Sequence, residues 1–156
     1  MTKNKKKKAP AFCLLDKDEQ KVCLKDITTP YTLVYFYPKD NTPGCAIEAN
    51  SFQKLRADFE KQGITIIGIS GGDQKTKTKF CNKNNLDITL LSDTDFEIST
   101  KYDVYGEKSM MGRTFKGISR SSYLLDDNKK IIKVYSKVKP LAHPKEVLND
   151  VILLEK

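Results

Sequence analysis

The stretch YPKDNTPGCAIEA, Tyr37–Ala49, places a cysteine directly after a Thr-Pro-Gly turn and at the start of a helix-like segment. The preceding run YTLVYFYP, residues 31–38, is apolar and β-branched, which is typical of a central strand buried on both faces. Pro38 ends this strand, because proline cannot donate a hydrogen bond to a sheet. Cys45 therefore lies in a strand-to-helix turn, where α/β proteins place their sites.

The position of Cys45 predicts a reactive thiol. The first turn of a helix presents free N–H groups and the positive end of the helix dipole, and both favour a thiolate. A nearby arginine would favour it further. We therefore expect Cys45 to be a partly exposed nucleophile. Thr42 occupies the position where a dithiol exchanger carries its other cysteine, and a threonine cannot close a disulfide. The site thus favours attack on an electrophilic oxygen.

The other cysteines show no metal-binding pattern. Cys13, Cys23 and Cys81 form no C-x-x-C pair with each other or with Cys45, and the single histidine, His143, is distant in sequence. Structural zinc sites use such paired ligands, so we predict no metal site. The N-terminus lacks the apolar region of a signal peptide, and thiols in cytosolic proteins are kept reduced. We therefore interpret Cys13 and Cys23 as free thiols that fill the core.

The positive charge is concentrated at the N-terminus. The formal net charge is +8, but without the five lysines of residues 1–8 only 23 basic side chains face 20 acidic ones. We expect residues 1–8 to be a disordered basic tail and residues 9–156 to form one domain. Such a tail could hold nucleic acid or an anionic lipid surface, but it contains no aromatic residue for base stacking, and a solvated leader is the simpler interpretation. No apolar run is long enough to span a membrane, which predicts a cytoplasmic protein.

The pattern of elements predicts a thioredoxin-like α/β fold: a central mixed β-sheet with helices on both faces and an N-terminal β-hairpin. Strand, helix and loop signals alternate along one domain without an internal repeat. The predicted elements are a hairpin from AFCLL and KVCLKDI, a helix over Cys45–Gln62, a strand over Ile64–Ser70, a helix from the Asp73 cap to Asn84, a short strand ITLLSD, a short helix in DTDFEISTKYDV, a loop GEKSMMGRTFKG, a hairpin in SRSSYLLDDNKKIIKVYS and a closing helix AHPKEVLNDVILLEK.

Two sequence blocks resemble the peroxiredoxins. The pattern Pro38-x-x-x-Thr42-x-x-Cys45 and the later block VYGEKSMMGRTFKGISRSSYLLD, residues 104–126, are similar to the Q subfamily, also called bacterioferritin comigratory proteins. The resemblance covers nearly the whole chain after the lysine tail. It implies a thiol-dependent peroxidase that reduces hydrogen peroxide and organic hydroperoxides to water and alcohols. It implies no flavin, haem or metal cofactor, since sulfur alone carries the redox change.

The resemblance also implies roles for individual residues. Cys45 would be the peroxidatic cysteine, which becomes a sulfenic acid. The Thr42 hydroxyl would bind the peroxide oxygens, Pro38 would shield the pocket, and Arg120 would stabilise the thiolate and the stretched O–O bond. Glu48 would orient Arg120. Without the resemblance, Arg120 could equally be a surface arginine at a strand end, and Glu48 a surface carboxylate at a helix N-terminus.

The resolving step departs from the commonest Q-type pattern. Asn50 occupies the position five residues after Cys45, where many members carry a resolving cysteine. Cys81 lies 36 residues after Cys45 and matches an alternative placement in the next helix. We expect Cys81 to close an intramolecular disulfide after local unwinding, which the polar sequence around it would make inexpensive. The alternatives are resolution by Cys13 or Cys23, resolution by an external thiol, and a thiol–disulfide oxidoreductase activity.

The resemblance further implies thioredoxin or a similar thiol donor as the reductant. We expect no nucleic-acid or membrane partner, and a monomer or weak homodimer.

Overall fold

The computed structural model describes residues 7–155, apart from the side chain of Met110. In chain order the elements are β1 Cys13–Leu15, β2 Lys21–Cys23, β3 Tyr31–Phe36, α1 Pro43–Lys54, α2 Arg56–Lys61, β4 Ile64–Ser70, α3 Gln74–Asn84, β5 Thr89–Ser92, α4 Glu97–Lys101, β6 Tyr105–Met110, β7 Arg113–Ile118, β8 Ser121–Leu125, β9 Ile131–Tyr135 and α5 His143–Leu154. Within the described residues, seven strands form one sheet in the order β2-β1-β5-β4-β3-β8-β9.

Strand β3 is central in this sheet, as the apolar run predicts. It pairs in parallel with β4 and antiparallel with β8, and every residue of β3 after Tyr31 is buried. A strand enclosed on both faces and both edges has a fixed end point, so the chain leaves the sheet at Phe36 in a defined position. This end point places the turn that carries Cys45 above the middle of the sheet.

Apolar clusters cover both faces of the sheet. The alternating side chains of β3 separate them, with Leu33 and Tyr35 on one side and Val34 and Phe36 on the other. The first cluster is completed by helices α1, α2, α3 and α5, and the second by α4 and the N-terminal segment. The predicted mixed sheet with helices on both faces and an N-terminal hairpin is therefore confirmed.

The predicted helix over Cys45–Gln62 is wrong in its extent. Helix α1 begins earlier, at Pro43, and ends at Lys54, while α2 starts at Arg56. Leu55 interrupts the helix with φ −96° and ψ 10°, and its N–H is shared between the carbonyls of Ser51 and Phe52. No proline or glycine marks this break, so the sequence contains no signal for it.

Helix α3 matches its prediction. The Asp73 side chain accepts a hydrogen bond from the Thr76 N–H at 2.9 Å and caps the N-terminus. Asn85 ends the helix in the left-handed region, with φ 53°.

The segment GEKSMMGRTFKG is a β-hairpin and not the predicted loop. Strands β6 and β7 pair in register from Tyr105 opposite Ile118 to Met110 opposite Arg113. The two-residue turn requires positive φ at Met111, 52°, and Gly112, 78°. This is the geometry of a primed hairpin turn, for which asparagine or aspartate is usual at the first position. Methionine at that position hides the signal.

Cys13 and Cys23 are not free thiols. They are register partners in the β1–β2 hairpin and form a disulfide across it, with Cys13 exposed and Cys23 buried. The assumption that every thiol is reduced therefore fails at this pair. The hairpin itself is confirmed, and its register, once known, brings the two cysteines face to face.

Two residues of the predicted tail, Lys7 and Lys8, are paired with the domain. Residues 1–6 of the predicted tail lie outside the described residues. Lys8 forms an antiparallel bridge with Lys130, and the Ile131 N–H donates to the Lys7 carbonyl at 2.8 Å. Lys7 and Lys8 thus pair with the start of β9. None of the described helices is long and apolar enough to cross a membrane.

His143 is buried where α5 docks on the sheet. Its Nε2 lies 2.7 Å from Ser122 Oγ, its Nδ1 lies 3.0 Å from Glu146 Oε1, and its ring packs edge-on against Tyr135. Burial lowers the pKa of His143 below its ordinary 6.5, although Glu146 opposes the shift. The imidazole is therefore held in its neutral form.

We predict that His143 makes the protein less stable in mild acid. Since its pKa is lower in the folded than in the unfolded chain, its contribution is fully present above the unfolded value of 6.5 and is lost as the pH falls through the folded value. Urea unfolding of the wild type and of His143→Gln between about pH 7.5 and about pH 5 tests this. The wild type should lose more free energy of unfolding than the variant, and parallel losses would contradict the prediction.

Candidate active site

Cys45 lies in the first turn of α1, just after the loop that follows β3. Thr42 is the N-cap residue, and its carbonyl accepts a hydrogen bond from the Ala46 N–H at 2.9 Å. Cys45 is only 2% exposed and belongs to the same buried cluster as Tyr35 and Tyr37. The expectation of a partly exposed thiol is therefore wrong in this conformation, because the aromatic side chains of the central strand and the Arg120 side chain enclose the sulfur.

Arg120 reaches Cys45 from the residue just before β8. Its Nη2 donates to Cys45 Sγ at 3.6 Å, and its side chain is 17% exposed. Gly44 eases this approach, because a Cβ at that position would lie 3.0 Å from Nη2 and would crowd the guanidinium. The predicted placement of Arg120 towards the interior agrees with this geometry.

Glu48 fixes the other side of the guanidinium. Its Oε1 accepts from Arg120 Nη1 at 2.7 Å, and its side chain is 1% exposed. Among the described residues, no group hydrogen-bonds to Glu48 Oε2. Burial raises the pKa of Glu48 to about 7, despite the opposing effect of Arg120. Glu48 therefore changes its charge close to neutral pH.

Arg120 itself remains a cation. Burial works against its charge, but the Cys45 sulfur and the Glu48 carboxylate outweigh burial, so the pKa of Arg120 is raised. A guanidinium with donors to both the sulfur and a carboxylate is held in one orientation. The three side chains Cys45, Arg120 and Glu48 thus form a connected cluster.

Thr42 and Pro38 lie in the segment that leads from β3 into α1, and both are half-buried. The Thr42 hydroxyl does not cap the helix but donates to the Lys39 carbonyl at 2.9 Å. With its hydrogen directed at the loop, the Thr42 oxygen can accept a hydrogen bond from an incoming O–H group. Pro38 lies at the start of that loop.

Sequence reasoning missed two further groups near the sulfur. Tyr35 is 1% exposed, and among the described residues its hydroxyl has no hydrogen-bond partner. Burial, followed by the charges of Glu48 and Cys45, raises the pKa of Tyr35 well above 10. Lys108 of β6 donates to the Ile118 carbonyl at 2.9 Å, and burial and the Arg120 charge lower its pKa. Neither group has a specific signal in the sequence, because Tyr35 is one of several aromatic residues in its strand and Lys108 lies in a segment that was predicted to be a loop.

Comparisons with known proteins agree with this site. Residues 6–134 match the model of the AhpC/TSA family. The chain is 40% identical to Peroxiredoxin Bcp of Escherichia coli over 141 residues, which cover 90% of each chain. It is 38% identical to the putative peroxiredoxin bcp of Haemophilus influenzae, over 90% of this chain and 91% of that one. The solved structure of a bacterioferritin comigratory protein of Xanthomonas campestris superposes with a TM-score of 0.86 at 32% identity, covering 93% of this chain and 92% of that one.

The chain belongs to the Q-type peroxiredoxins. It is therefore a thiol-dependent peroxidase with a thioredoxin-like fold, as the two sequence blocks imply.

In this peroxiredoxin, Cys81 lies on the predicted helix, but that helix is packed differently from the prediction. Cys81 lies on α3 and shares the apolar cluster of Cys45, and among the described cysteines these two are the free ones. Burial raises the pKa of Cys81, while the charge of Lys17 opposes this. The polar sequence of α3 nevertheless places Phe80 and Cys81 in this apolar cluster, so the helix is anchored more firmly than its sequence suggests.

Removing the guanidinium should slow the reaction of Cys45 with peroxide. Arg120→Met deletes the donor to the sulfur, and removing one such donor typically costs a factor of about 100 to 1,000 in rate. Arg120→Lys should restore part of the loss, since a lysine keeps the positive charge but cannot donate to the sulfur and to Glu48 with the planar geometry of a guanidinium. Stopped-flow measurement of the second-order rate constant with hydrogen peroxide tests this, and an unchanged constant in Arg120→Met would refute it.

The buried Glu48 should make the peroxiredoxin less stable as the pH rises. Its folded pKa of about 7 exceeds the ordinary 4.5, so the stability that it contributes is present below 4.5 and is lost as the pH rises through about 7. The full effect is roughly 3 kcal/mol. As the pH rises over this range, the free energy of unfolding in urea should fall less in Glu48→Gln than in the wild type. A difference between the two proteins that does not change with pH would contradict the prediction.

Proposed function

We propose that this peroxiredoxin reduces hydrogen peroxide and organic hydroperoxides with Cys45 as its peroxidatic residue. The observation that carries the proposal is the 3.6 Å contact of Arg120 Nη2 with a sulfur in the first turn of a helix. Both features stabilise negative charge on that sulfur. The bacterioferritin comigratory protein of Xanthomonas campestris is described as having alkyl peroxide reduction activity, which supports the organic substrates.

In the first step, the Cys45 thiolate attacks one oxygen of ROOH. An S–O bond forms, the O–O bond breaks, and RO⁻ leaves and takes up a proton to become ROH. Cys45 becomes a sulfenic acid. Arg120 is positioned to follow the negative charge from the sulfur to the oxygens, and Thr42 accepts from the peroxide O–H group. Pro38 shields the site from water, and Glu48 orients Arg120.

Cys81 is the resolving residue in this proposal. Its thiolate attacks the Cys45 sulfur, an S–S bond forms, the S–O bond breaks, and the released hydroxide becomes water. Both thiols lie in one buried cluster. Two structures of Xanthomonas campestris Peroxiredoxin Q carry serine at cysteines that are 36 residues apart in that chain, the spacing of Cys45 and Cys81 here. A disulfide needs Cα atoms within about 7 Å, and the two sulfurs start on different helices, so the proposal includes local unwinding of α1 or α3.

Thioredoxin or a similar thiol donor would reduce the Cys45–Cys81 disulfide in the cytoplasm. A groove of about 560 Å³ runs past Cys81, between the β1–β2 turn and β5, and offers the donor a route to this sulfur. Lys17 lines the groove and would favour the thiolate form of Cys81.

A monomer or weak homodimer suffices for this cycle, since both cysteines are in one chain. The domain would begin at Lys7, which pairs with the start of β9, rather than at residue 9, and the lysines of the N-terminal segment would have no part in the reaction.

A one-cysteine cycle with an external resolving thiol is a second candidate. The observation in its favour is the burial of Cys81, which is 3% exposed and has a raised pKa. Thiol–disulfide exchange without peroxide is disfavoured, because Thr42 stands where that chemistry needs a cysteine.

Separate cysteine variants distinguish these cycles. Cys45→Ser should abolish peroxide consumption. Cys81→Ser should still consume one equivalent of peroxide but lose thioredoxin-dependent turnover, since no disulfide can form. Peptide mapping of the oxidised wild type should find Cys45 joined to Cys81.

The matched control is the double variant Cys13→Ser/Cys23→Ser. It removes the disulfide of the hairpin and should keep turnover, because neither cysteine shares the cluster of Cys45 and Cys81. Full thioredoxin-dependent turnover by Cys81→Ser would overturn the resolving role and leave the one-cysteine cycle.

A further inference from the structure

A fully buried ion pair joins the two segments that carry Cys45 and Cys81. Lys77 Nζ lies 3.1 Å from Asp40 Oδ2, and both side chains are 0% exposed. Asp40 belongs to the loop between β3 and α1, two residues before Thr42. Lys77 lies on α3, one turn before Cys81. The pair therefore fixes the peroxidatic loop to the helix of the second thiol.

Polar partners surround the pair completely. Lys77 Nζ also donates to Ser70 Oγ at 2.7 Å and to the Gly72 carbonyl at 3.1 Å, and the Tyr37 hydroxyl donates to Asp40 Oδ1 at 2.6 Å. The Lys77 ammonium also lies 5.6 Å from the centre of the Tyr37 ring. Gly72 is required, because a Cβ at that position would lie 2.1 Å from Asp40 Oδ2. Such a satisfied network specifies one closed arrangement.

A specified arrangement is not the same as a strongly stabilised one. Removing two charges from water costs several kcal/mol per ion, and replacing a buried pair by apolar groups of similar volume is often neutral or stabilising by about 1–4 kcal/mol. Burial lowers the pKa of Lys77, although the charge of Asp40 opposes this shift. When α3 opens, both charges regain their hydration, and this offsets the hydrogen bonds that are lost.

We propose that the Asp40–Lys77 pair is a release element for the resolving step. It holds the Cys45 loop against α3 in one geometry, and it keeps the free energy of opening low because both charges are hydrated again in the open form. Asp40 and Lys77 are positioning residues, which act through the segments of Cys45 and Cys81. This inference rests on the proposed role of Cys81.

The consequence lies in a competition between two reactions of the Cys45 sulfenic acid. Attack by Cys81 forms the disulfide and releases water. Attack on a further hydroperoxide oxidises the sulfur to a sulfinic acid and reduces that hydroperoxide to ROH. A lower free energy of opening favours the disulfide and protects Cys45 from overoxidation.

The test uses variants whose effects have opposite signs. The double variant Asp40→Asn/Lys77→Met removes both charges but keeps an acceptor for the Tyr37 hydroxyl and the volume of the lysine stem. It should oppose opening. The single variant Lys77→Met leaves the carboxylate buried without its cation and should favour opening. Arg56→Met is the control, because it removes an exposed ion pair to Asp87 of comparable length, 2.7 Å.

The first measurement follows the reduced proteins after one equivalent of hydrogen peroxide, with rapid alkylation and mass spectrometry. We expect the double variant to form the Cys45–Cys81 disulfide about tenfold more slowly than the wild type, which corresponds to about 1.4 kcal/mol. In excess peroxide it should accumulate more sulfinic acid at Cys45. Arg56→Met should match the wild type, and the initial oxidation of Cys45 should be equally fast in the wild type, the double variant and Arg56→Met.

The second measurement is amide hydrogen exchange of the reduced proteins, which reports opening without any disulfide. Exchange over residues 74–84 should be slower in the double variant and faster in Lys77→Met than in the wild type. If a folded double variant exchanges its amides and forms the disulfide as fast as the wild type or faster, the pair is not a release element, while the resolving role of Cys81 is unaffected. If the wild type forms no Cys45–Cys81 disulfide, the resolving role of Cys81 is overturned, while hydrogen exchange still decides whether the pair controls opening.

Discussion

The contact between the Arg120 guanidinium and the Cys45 sulfur is the interaction on which the rest of the site depends. A sulfur that is 2% exposed has little water to stabilise a negative charge, so the protein must supply that stabilisation itself. Arg120 Nη2, at 3.6 Å, and the first turn of α1 supply it. Glu48 holds the guanidinium in place from the other side, at 2.7 Å. The donors therefore already have their orientation before a peroxide arrives.

The sheet provides this geometry from two directions. Strand β3 ends below the Cys45 turn, and its antiparallel neighbour β8 begins just after Arg120, with Phe36 opposite Ser121. Cys45 and Arg120 are 75 positions apart in sequence, yet they meet because the ends of two adjacent strands carry them. Gly44 then leaves the space that the guanidinium occupies. The active site is thus a consequence of strand pairing as much as of the Thr-Pro-Gly-Cys turn.

The sequence predicted those parts of the molecule that have local signals. The apolar run of β3, the Asp73 cap of α3 and the turn after β8 each leave a pattern that spans a few residues. The break at Leu55 and the β6–β7 hairpin do not, since the former lacks a breaker residue and the latter has methionine where a turn residue is usual. The resemblance to the peroxiredoxins pointed to Cys45, Arg120 and Glu48, and the structure brings these three side chains into contact. The burial of Cys45, the Cys13–Cys23 bridge and the Asp40–Lys77 pair depend on tertiary contacts that no local pattern encodes.

The proposed reaction at Cys45 requires Arg120 to stabilise negative charge on the sulfur. The ultraviolet absorbance of the thiolate in the reduced protein at neutral pH, with Cys45→Ser as the blank, measures that charge directly. We predict a thiolate signal that depends on Cys45 and is clearly weaker in Arg120→Met at the same pH. Equal thiolate absorbance with and without the guanidinium would show that Arg120 does not stabilise the thiolate.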